Sequence, residues 1–322
     1  MIISKTPLRI SFCGGGTDLP AYYENFGPGM VVSSTINKYI TVLVHTRFDN
    51  LLRFTSFKEE IVDKVEKMEE GILKESLKEF NIKTGIDIIT VSDVPPGTGM
   101  GSSGAFTVGL LNALQAYTKK HTPTAKELAQ RACEIEINKL SQPIGKQDQY
   151  AAAFGGFALI EFNQNGKVKH TPINMKKSCA SKLAKNSLML FLNKQRSASA
   201  ILKKQVANIS DKNDVLTKIK KRVPETVSAL KDGNIKKIGE IIHETWQLKK
   251  TLATGISNEY IDNLYHKALG CGAYGGKVLG AGGGGFLFLL AAPEKHKKIL
   301  ETLKLKELPF TFQSEGTKLL IE

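Results

Sequence analysis

The segment PPGTGMGSSG, residues 95–104, alternates glycines with hydroxyl residues. Glycines let the backbone curl with its N–H groups pointing inward, and no Cβ keeps a ligand away. The following helix, which Ser102 or Ser103 is expected to cap, adds free N–H donors and about half a positive charge at its start. This chemistry suits a polyphosphate, and we predict that the segment binds one. The predicted phosphate-binding residues are Pro96, Gly97, Thr98, Gly99, Met100, Gly101, Ser102, Ser103 and Gly104.

A glycine-rich turn without a ligand is the alternative interpretation, and several known phosphate loops do not fit. No Lys-Ser or Lys-Thr pair follows the glycines, which excludes a Walker A loop. Gly99, Gly101 and Gly104 satisfy GxGxxG, but the dinucleotide fold also requires an acidic residue at the end of the next strand. The residues after position 118 indicate a helix instead. The HRD and DFG segments of protein kinases do not occur in the chain.

Two aspartates follow glycine-containing turns elsewhere in the chain. Asp18 comes directly after Gly14-Gly15-Gly16-Thr17, a tight loop that would deliver a carboxylate able to accept hydrogen bonds from neighbouring sugar hydroxyls. Asp148 lies at the start of a short alanine-rich helix that ends at Gly155-Gly156. A purely structural interpretation remains open for both, since each aspartate can serve as a helix cap.

Two glutamates lie in the latter half of a helix that starts at the capping box Thr124–Glu127. Glu134 and Glu136 point to different faces of this helix. One of them can therefore reach inward while the other stays in solvent. From the residues alone, either is more simply explained as a solvated charge.

Three segments, in the right order, resemble the motifs of the galactokinase, homoserine kinase, mevalonate kinase and phosphomevalonate kinase (GHMP) superfamily. They are PLRISFCGGGTDLPAYYENFG from residue 7, PPGTGMGSS from residue 95 and GGKVLGAGGGGFLFLLA from residue 275. The resemblance implies a kinase that uses ATP and Mg²⁺. It assigns Arg9 to the charge on the phosphoryl group and Asp148 to catalysis. It also suggests Glu136 and a loop serine, preferably Ser103, as Mg²⁺ ligands.

The same resemblance gives a substrate site. Gly15, Gly16, Thr17 and Asp18 are expected to hold the sugar. Lys146, the cation closest to Asp148 along the chain, is expected to act on Asp148 or to contact a phosphate of the substrate. Arg196, together with Lys194, is expected to meet a phosphate carried by the substrate, since arginine binds phosphate in a bidentate manner. A surface salt bridge is the alternative for Arg196.

Two segments are more similar to the heptose 7-phosphate kinases than to the galactokinases. They are GGGTDLP, followed by STINKYI at 34–40, and GKQDQYAAAFGG at 145–156. This similarity implies ATP-dependent phosphorylation of the anomeric hydroxyl of D-glycero-α-D-manno-heptose 7-phosphate to the 1,7-bisphosphate, for nucleotide-activated heptose synthesis. A kinase of unphosphorylated fucose or galactose is the alternative within the same superfamily.

The elements that must position these residues follow from periodicity. A β-branched run at 86–91 predicts a strand before the central loop, and the apolar pattern from Phe106 predicts a helix after it. FALIEF and KVKHTPI flank Asn165-Gly166 and predict a hairpin. We expect a charged helix at 57–80, a strand at 186–192 and three helices at 199–270. A strand, turn and strand at 275–291, a helix at 293–303 and one or two strands complete the prediction.

The resemblance implies an α+β fold in two domains. The expected N-terminal domain, residues 1–183, has a left-handed βαβ unit. The expected C-terminal domain, residues 184–322, is ferredoxin-like.

Composition limits the class of partner. The four cysteines are scattered and no apolar run approaches the about 18 residues of a membrane span, so we expect a cytoplasmic protein without a membrane partner. The net charge of +14 permits either a nucleic-acid partner or a lysine-rich surface around an anionic substrate. The lysines lie on helical patterns without interleaved aromatic residues. We therefore expect a small-molecule sugar phosphate as the partner, and a basic nucleic-acid-binding protein is the remote alternative.

Overall fold

A computed structural model describes residues 1–119, 121–193 and 198–321 of the chain. Within these ranges the strands are β1 Ile2–Cys13, β2 Gly29–Thr46, β3 Leu52–Thr55, β4 Glu59–Val62, β5 Ile86–Ser92, β6 Phe157–Phe162, β7 Val168–Pro172, β8 Ser187–Phe191, β9 Ala273–Val278, β10 Phe286–Ala291, β11 Lys306–Glu307, β12 Phe312–Gln313 and β13 Lys318–Ile321. The helices are α1 Pro20–Tyr23, α2 Gly71–Glu79, α3 Ser102–Tyr117, α4 Ala125–Cys133, α5 Gln147–Phe154, α6 Lys177–Lys185, α7 Ala198–Ala207, α8 Ile209–Lys221, α9 Val223–Asp232, α10 Ile235–Lys250, α11 Glu259–Gly270 and α12 Pro293–Leu303. A 3₁₀ turn spans Val65–Lys67, and a π-helical segment, Glu134–Lys139, continues α4.

The first sheet is built around the long strand β2. Its first half pairs with β6 and its second half with β5, and β1 runs antiparallel along most of its length. The order β13-β1-β2-β5-β3-β4 contains one parallel pair, β3 with β5. Most β1 and β2 side chains are buried, as expected for strands covered by helices on one face.

Helix α3 lies across β1 and β2 and carries the central loop at its first turn. Most of its residues are buried, which is typical of a helix enclosed by protein on all sides. A Cβ at Gly109 would lie 2.6 Å from Thr6 Oγ1, so only glycine permits this close packing of α3 on β1. The packing fixes where the central loop can lie.

The second sheet has the antiparallel order β11-β8-β10-β9. Helix α10 packs on β9, and its Trp246 is fully buried. The turn between β9 and β10 reaches back to the first half of the chain. Two sheets with segregated helices agree with the predicted α+β class.

Most element predictions are confirmed. These include the 86–91 strand, the capping box at Thr124, the hairpin β6–β7, strand β8, the β9–turn–β10 unit and helix α12.

Four element predictions are wrong. Three strands, β11, β12 and β13, follow α12 in residues 304–321, where one or two were predicted. Residues 59–62 form strand β4 rather than helix, because Ile61 and Val62 favour extended backbone and pair with β3. Residues 198–270 form five helices where three were predicted for 199–270. The breaks lie at Asn208, at Arg222, at residues 233–234 and at residues 251–258. Neither serine caps α3 with its side chain, because the N-cap is Gly101 in the left-handed conformation.

The final strands return to the first sheet. Strand β12 pairs with β2, and β13 pairs with β1, so residues 312–321 join the sheet of the predicted first domain. The domain boundary between residues 183 and 184 stays a prediction. The last two strands, β12 and β13, belong to the sheet of the first predicted domain although they follow the second.

Candidate active site

A cavity of about 200 Å³ opens where three glycine-rich turns of the chain meet. They are the first glycine loop (residues 14–18), the central glycine loop (residues 95–104) and the third glycine turn (residues 280–285). Twelve of the predicted site residues line the cavity: Arg9, Gly15, Gly16, Asp18, Gly97, Gly99, Gly101, Ser102, Ser103, Gly104, Glu136 and Asp148. The fold therefore brings most of the predicted residues to one place.

The central glycine loop follows β5 and turns into α3 at Gly101. This residue has φ +76°, a conformation that favours glycine. A Cβ at Gly101 would lie 3.2 Å from both Arg9 Cγ and Asp148 Cγ. Because Gly101 has no side chain, the loop backbone can contact both charged residues. The contact lies at the start of α3, where the first backbone N–H groups of the helix are free to bind an anion.

The two loop serines have different environments. Ser103 Oγ donates a short hydrogen bond to Glu136 Oε1. Ser102 Oγ is buried and has no hydrogen-bond partner among the described residues. A buried hydroxyl without a partner is costly, and a phosphate oxygen or a cation at this point would satisfy it.

Glu136 lies on the π-helical segment and is fully buried, whereas Glu134 is exposed. The expectation that one glutamate reaches inward is confirmed. The second carboxylate oxygen of Glu136 accepts a 2.7 Å hydrogen bond from Gln149 Nε2. Burial raises the pKa of Glu136 to about 7, and the Ser103 and Gln149 hydrogen bonds oppose that rise. A π-helical bulge commonly occurs at functional sites.

Arg9 connects Asp148 with the central glycine loop. Its Nε donates to Asp148 Oδ1 over 2.8 Å, and its Nη1 donates to the Gly99 carbonyl over 2.6 Å. The Arg9 backbone N–H also donates to Met100 O over 3.0 Å. Asp148 Oδ2 has no hydrogen bond to the described part of the chain, and its carboxylate is partly exposed to the cavity. This oxygen is therefore available to a ligand.

Asp18 is held by the first glycine loop and by the loop before α5. Its Oδ1 accepts a 2.9 Å hydrogen bond from Gly16 N, and Lys146 N donates to its carbonyl over 3.3 Å. A Cβ at Gly145 would lie 1.9 Å from Asp18 Oδ2, so glycine is required there. Burial raises the pKa of Asp18, and the negative charge of Asp148 raises it further.

Several predicted residues do not reach the cavity wall. Lys146 Nζ donates to Gly166 O over 3.0 Å and lies over the Tyr23 ring, because the chain directs it toward the β6–β7 hairpin. Thr17 is fully buried, and its hydroxyl donates hydrogen bonds to Gly14 O and Met30 O. These bonds stabilise the conformation of the first glycine loop.

In the central loop, Thr98 donates to Pro95 O and Met100 is buried, so both support the loop from behind, and Pro96 is exposed. Arg196 and Lys194 lie outside the described residues.

Six polar residues of the cavity wall were missed by the sequence analysis: Ser11, Gln147, Gln149, Gln205, Lys249 and Lys277. The two glutamines on either side of Asp148 lie in the GKQDQYAAAFGG segment, and their position next to that aspartate was the available signal. Lys277 is the only charged residue between positions 268 and 293, and a lone lysine in an apolar strand was the available signal. Gln205, on α7, carried no signal in the sequence.

The third glycine turn packs directly on the central loop. A Cβ at Gly99 would lie 2.3 Å from Leu279 O, and one at Gly285 would lie 2.3 Å from Thr98 O. Lys249 Nζ donates to Gly280 O, which ties α10 to the turn. Gly280 and Ala281 also line the cavity. The turn therefore both supports the central loop and contributes to the cavity.

The arrangement suits an anion and a hydroxyl-rich molecule. The central glycine loop and the α3 N-terminus line the cavity beside Arg9, together with the carboxylates of Asp18, Glu136 and Asp148. No group of three or more His, Cys, Asp or Glu side chains in the described ranges is arranged to hold a metal ion. The oxygen donors of Glu136 and the loop serines nevertheless fit Mg²⁺, which takes one or two protein oxygens and completes its shell with phosphates and water.

No helix among the described residues is long and apolar enough to cross a membrane.

Two protein-family models match the chain. The model of the GHMP kinases N terminal domain matches residues 65–156, and that of the GHMP kinases C terminal matches residues 226–306. Among curated proteins, the D-glycero-alpha-D-manno-heptose 7-phosphate kinase of Campylobacter jejuni is 31% identical over 98% of this chain and 98% of its own length. A galactokinase of Pyrococcus furiosus is 27% identical over 92% of this chain and 91% of its own.

Solved structures give the same similarity. The crystal structure of a D-glycero-D-manno-heptose 1-phosphate kinase from Bacteroides thetaiotaomicron has a TM-score of 0.81 to this chain at 26% identity. The match covers 100% of this chain and 99% of that one.

Proposed function

The chain belongs to the GHMP kinase family and is a sugar kinase, and we propose that it phosphorylates the anomeric hydroxyl of D-glycero-α-D-manno-heptose 7-phosphate with ATP. The observation that carries this substrate is the 31% identity to the Campylobacter heptose 7-phosphate kinase along 98% of both chains. The first glycine loop supports it, since its GGGTDLP sequence resembles the heptose kinases more than the galactokinases. The product would be the 1,7-bisphosphate.

In this proposal the central glycine loop cradles the ATP phosphates. The free N–H groups at the start of α3 face the phosphate oxygens, and the unpartnered Ser102 hydroxyl donates to one of them. Phosphoryl transfer depends mainly on positioning and charge neutralisation. Arg9 is placed to do both, because it contacts the loop at Gly99 and the carboxylate at Asp148.

Asp148 would act on the sugar hydroxyl. Arg9 occupies Oδ1, so Oδ2 is the oxygen that accepts or orients the proton of the anomeric hydroxyl. The sugar oxygen forms a bond to the γ-phosphorus as the bond to the β-phosphate oxygen breaks, and ADP leaves. Asp18, fixed by Gly16 and buried beside this point, would accept hydrogen bonds from other sugar hydroxyls.

Glu136 and Ser103 would hold Mg²⁺, and Ser102 is close enough along the loop to be the alternative serine. The ion, when bound, neutralises phosphate charge. A buried glutamate that accepts hydrogen bonds from a hydroxyl and an amide, and has no ion pair among the described residues, fits that role.

The test is an ADP-release assay on a sugar panel. The purified chain, with ATP and Mg²⁺, is offered heptose 7-phosphate, the same heptose without phosphate, galactose and fucose. We expect kcat/KM to be highest for heptose 7-phosphate by at least about tenfold, the usual effect of one lost charged contact. Phosphorus NMR should then show a second, anomeric phosphate. A higher kcat/KM for any unphosphorylated sugar would reject the substrate.

The second candidate is a 1-kinase of an unphosphorylated sugar. The 27% identity to a galactokinase over 92% of the chain is the observation in its favour. The same panel decides between the two.

A further inference from the structure

Lys277 is a buried lysine in the wall of the cavity. It lies on β9, opposite Phe288 of β10, and only 5% of it is exposed. It is one of the wall residues that the second half of the chain contributes. The mechanism proposed above gives it no role.

The ammonium group of Lys277 has no partner within the described part of the chain. It forms no hydrogen bond and no ion pair there, although lysine has three donors to satisfy. Lys249, the other buried lysine of the wall, differs because it donates to Gly280 O. A buried, unpaired ammonium destabilises a folded protein, because it loses its hydration and gains no compensating charge. Such a group persists where a ligand supplies the missing charge.

The neighbours of Lys277 do not supply that charge. Cys13 is fully buried, and burial raises the pKa of its thiol to about 11, so it is neutral at physiological pH. Asp18 is close enough to favour the charged lysine, but it forms no ion pair with it and is itself held by Gly16. Arg9 opposes the positive charge. Burial, the largest effect, lowers the pKa of Lys277 to about 8, which still leaves it mostly protonated at neutral pH.

We propose that Lys277 binds a phosphate oxygen of a ligand in this cavity. The phosphate carried by the sugar is one source of this oxygen, since Lys277 lies near Asp18 of the first glycine loop. The terminal phosphate of ATP is the other source of the same chemistry. The sugar source rests on the proposed function, whereas the nucleotide source requires only that the chain is a kinase.

The variant Lys277→Met tests the role of Lys277 in ligand binding, and its melting temperature tests separately whether folding is affected. Binding of heptose 7-phosphate, of the unphosphorylated heptose and of a non-hydrolysable ATP analogue with Mg²⁺ is measured by calorimetry. We expect Kd to rise about 10- to 100-fold for one of the two phosphate ligands, as for loss of a hydrogen bond to a charged group. Which ligand is affected identifies the source. The unphosphorylated heptose should bind within about twofold of its original affinity.

The unliganded variant gives a second, independent measurement. Since Lys277 has no partner to lose, Lys277→Met should melt at the same temperature as the original protein or higher. Lys277→Gln, which keeps a polar group, should lose phosphate affinity in the same way. Lys298→Met is the matched control, since Lys298 is exposed on α12 away from the cavity. It should change none of these quantities.

Three results would overturn the proposal. They are an unchanged Kd for both phosphate ligands, an equal loss for phosphorylated and unphosphorylated heptose, and a lower melting temperature of both unliganded Lys277 variants. If the original protein does not bind heptose 7-phosphate at all, the substrate proposal fails separately. The nucleotide measurement alone then decides the role of Lys277.

Discussion

Arg9 and Asp148 form an ion pair that leaves one carboxylate oxygen of the aspartate unoccupied. Arg9 Nε lies 2.8 Å and Nη2 2.7 Å from the same atom, Asp148 Oδ1. The third guanidinium nitrogen, Nη1, is turned to the Gly99 carbonyl. One arginine thus fixes the distance between the central glycine loop and the carboxylate that faces the cavity. This relationship gives two predictions.

The first prediction concerns Asp148. Asp148→Asn keeps the shape of the side chain but removes the proton acceptor, so we expect kcat to fall about 10²- to 10⁴-fold. Nucleotide affinity should stay within a few fold, because no loop contact is lost. Steady-state kinetics and nucleotide titration measure the two. Asp214→Asn, an exposed position on α8, is the matched control. An undiminished kcat in Asp148→Asn would exclude the carboxylate from the reaction.

The second prediction concerns Arg9. Lysine keeps the charge but has no planar fork, so Arg9→Lys cannot hold Asp148 and Gly99 together. We expect kcat to fall about 10²-fold, in the range found when one transition-state donor is removed. Arg47→Lys is the control, because Arg47 also pairs with an aspartate, Asp49, at an exposed turn. If both lysine variants keep full activity, the two-sided contact of Arg9 does not matter for turnover.

The third prediction is a pH dependence of stability. Burial raises the pKa of Glu136 from 4.5 to about 7. Between these values the folded protein binds the proton more tightly than the unfolded chain, so the stabilising contribution is full below 4.5 and is lost as the pH rises through 7. The upper bound of this loss is about 3 kcal/mol, at 1.36 kcal/mol per pKa unit.

Urea unfolding at pH 5 and pH 8, without nucleotide or metal, measures this effect. Glutamine cannot titrate, so Glu136→Gln should lose less stability than the original protein between the two pH values. The quantity compared is the change in the free energy of unfolding between pH 5 and pH 8. Other titrating groups contribute equally to this change in both proteins, so their contribution cancels. Equal changes in the free energy of unfolding in both proteins would contradict the raised pKa.

The sequence predicted the site better than it predicted the elements around it. The glycine loops and Asp148 were found because each needs a particular residue type at a particular spacing. Glu136 was separated from Glu134 only by the structure, since helical periodicity states that they diverge but not which one points inward. The prediction that a serine caps α3 was wrong because Gly101 takes the N-cap position, while Ser103 Oγ donates to Glu136 and Ser102 Oγ has no partner among the described residues.

The residues that were missed come mostly from contacts between distant segments. Lys277 and Gln205 reach the cavity only because the second half of the chain packs against the first glycine loop, and Gly16 lies against Gln205. Nothing local in α7 indicates this. Likewise, β12 and β13 join the first sheet across more than 260 residues of sequence, a pairing that alternation of apolar residues does not specify.

The last prediction concerns the glycine at the start of α3. Gly101 has φ +76°, and a Cβ there would lie 3.2 Å from Arg9 Cγ and 3.3 Å from Asp148 Oδ2. Gly101→Ala should therefore cost about 1 to 2 kcal/mol for the left-handed backbone and also displace the ion pair. Gly270→Ala, in helix α11 with open space around it, should instead gain about 0.5 to 1 kcal/mol. Thermal unfolding and kcat are measured for both. We expect kcat to fall only in Gly101→Ala, and a loss of stability without any loss of kcat would show that the close contact with Arg9 and Asp148 is not needed for catalysis.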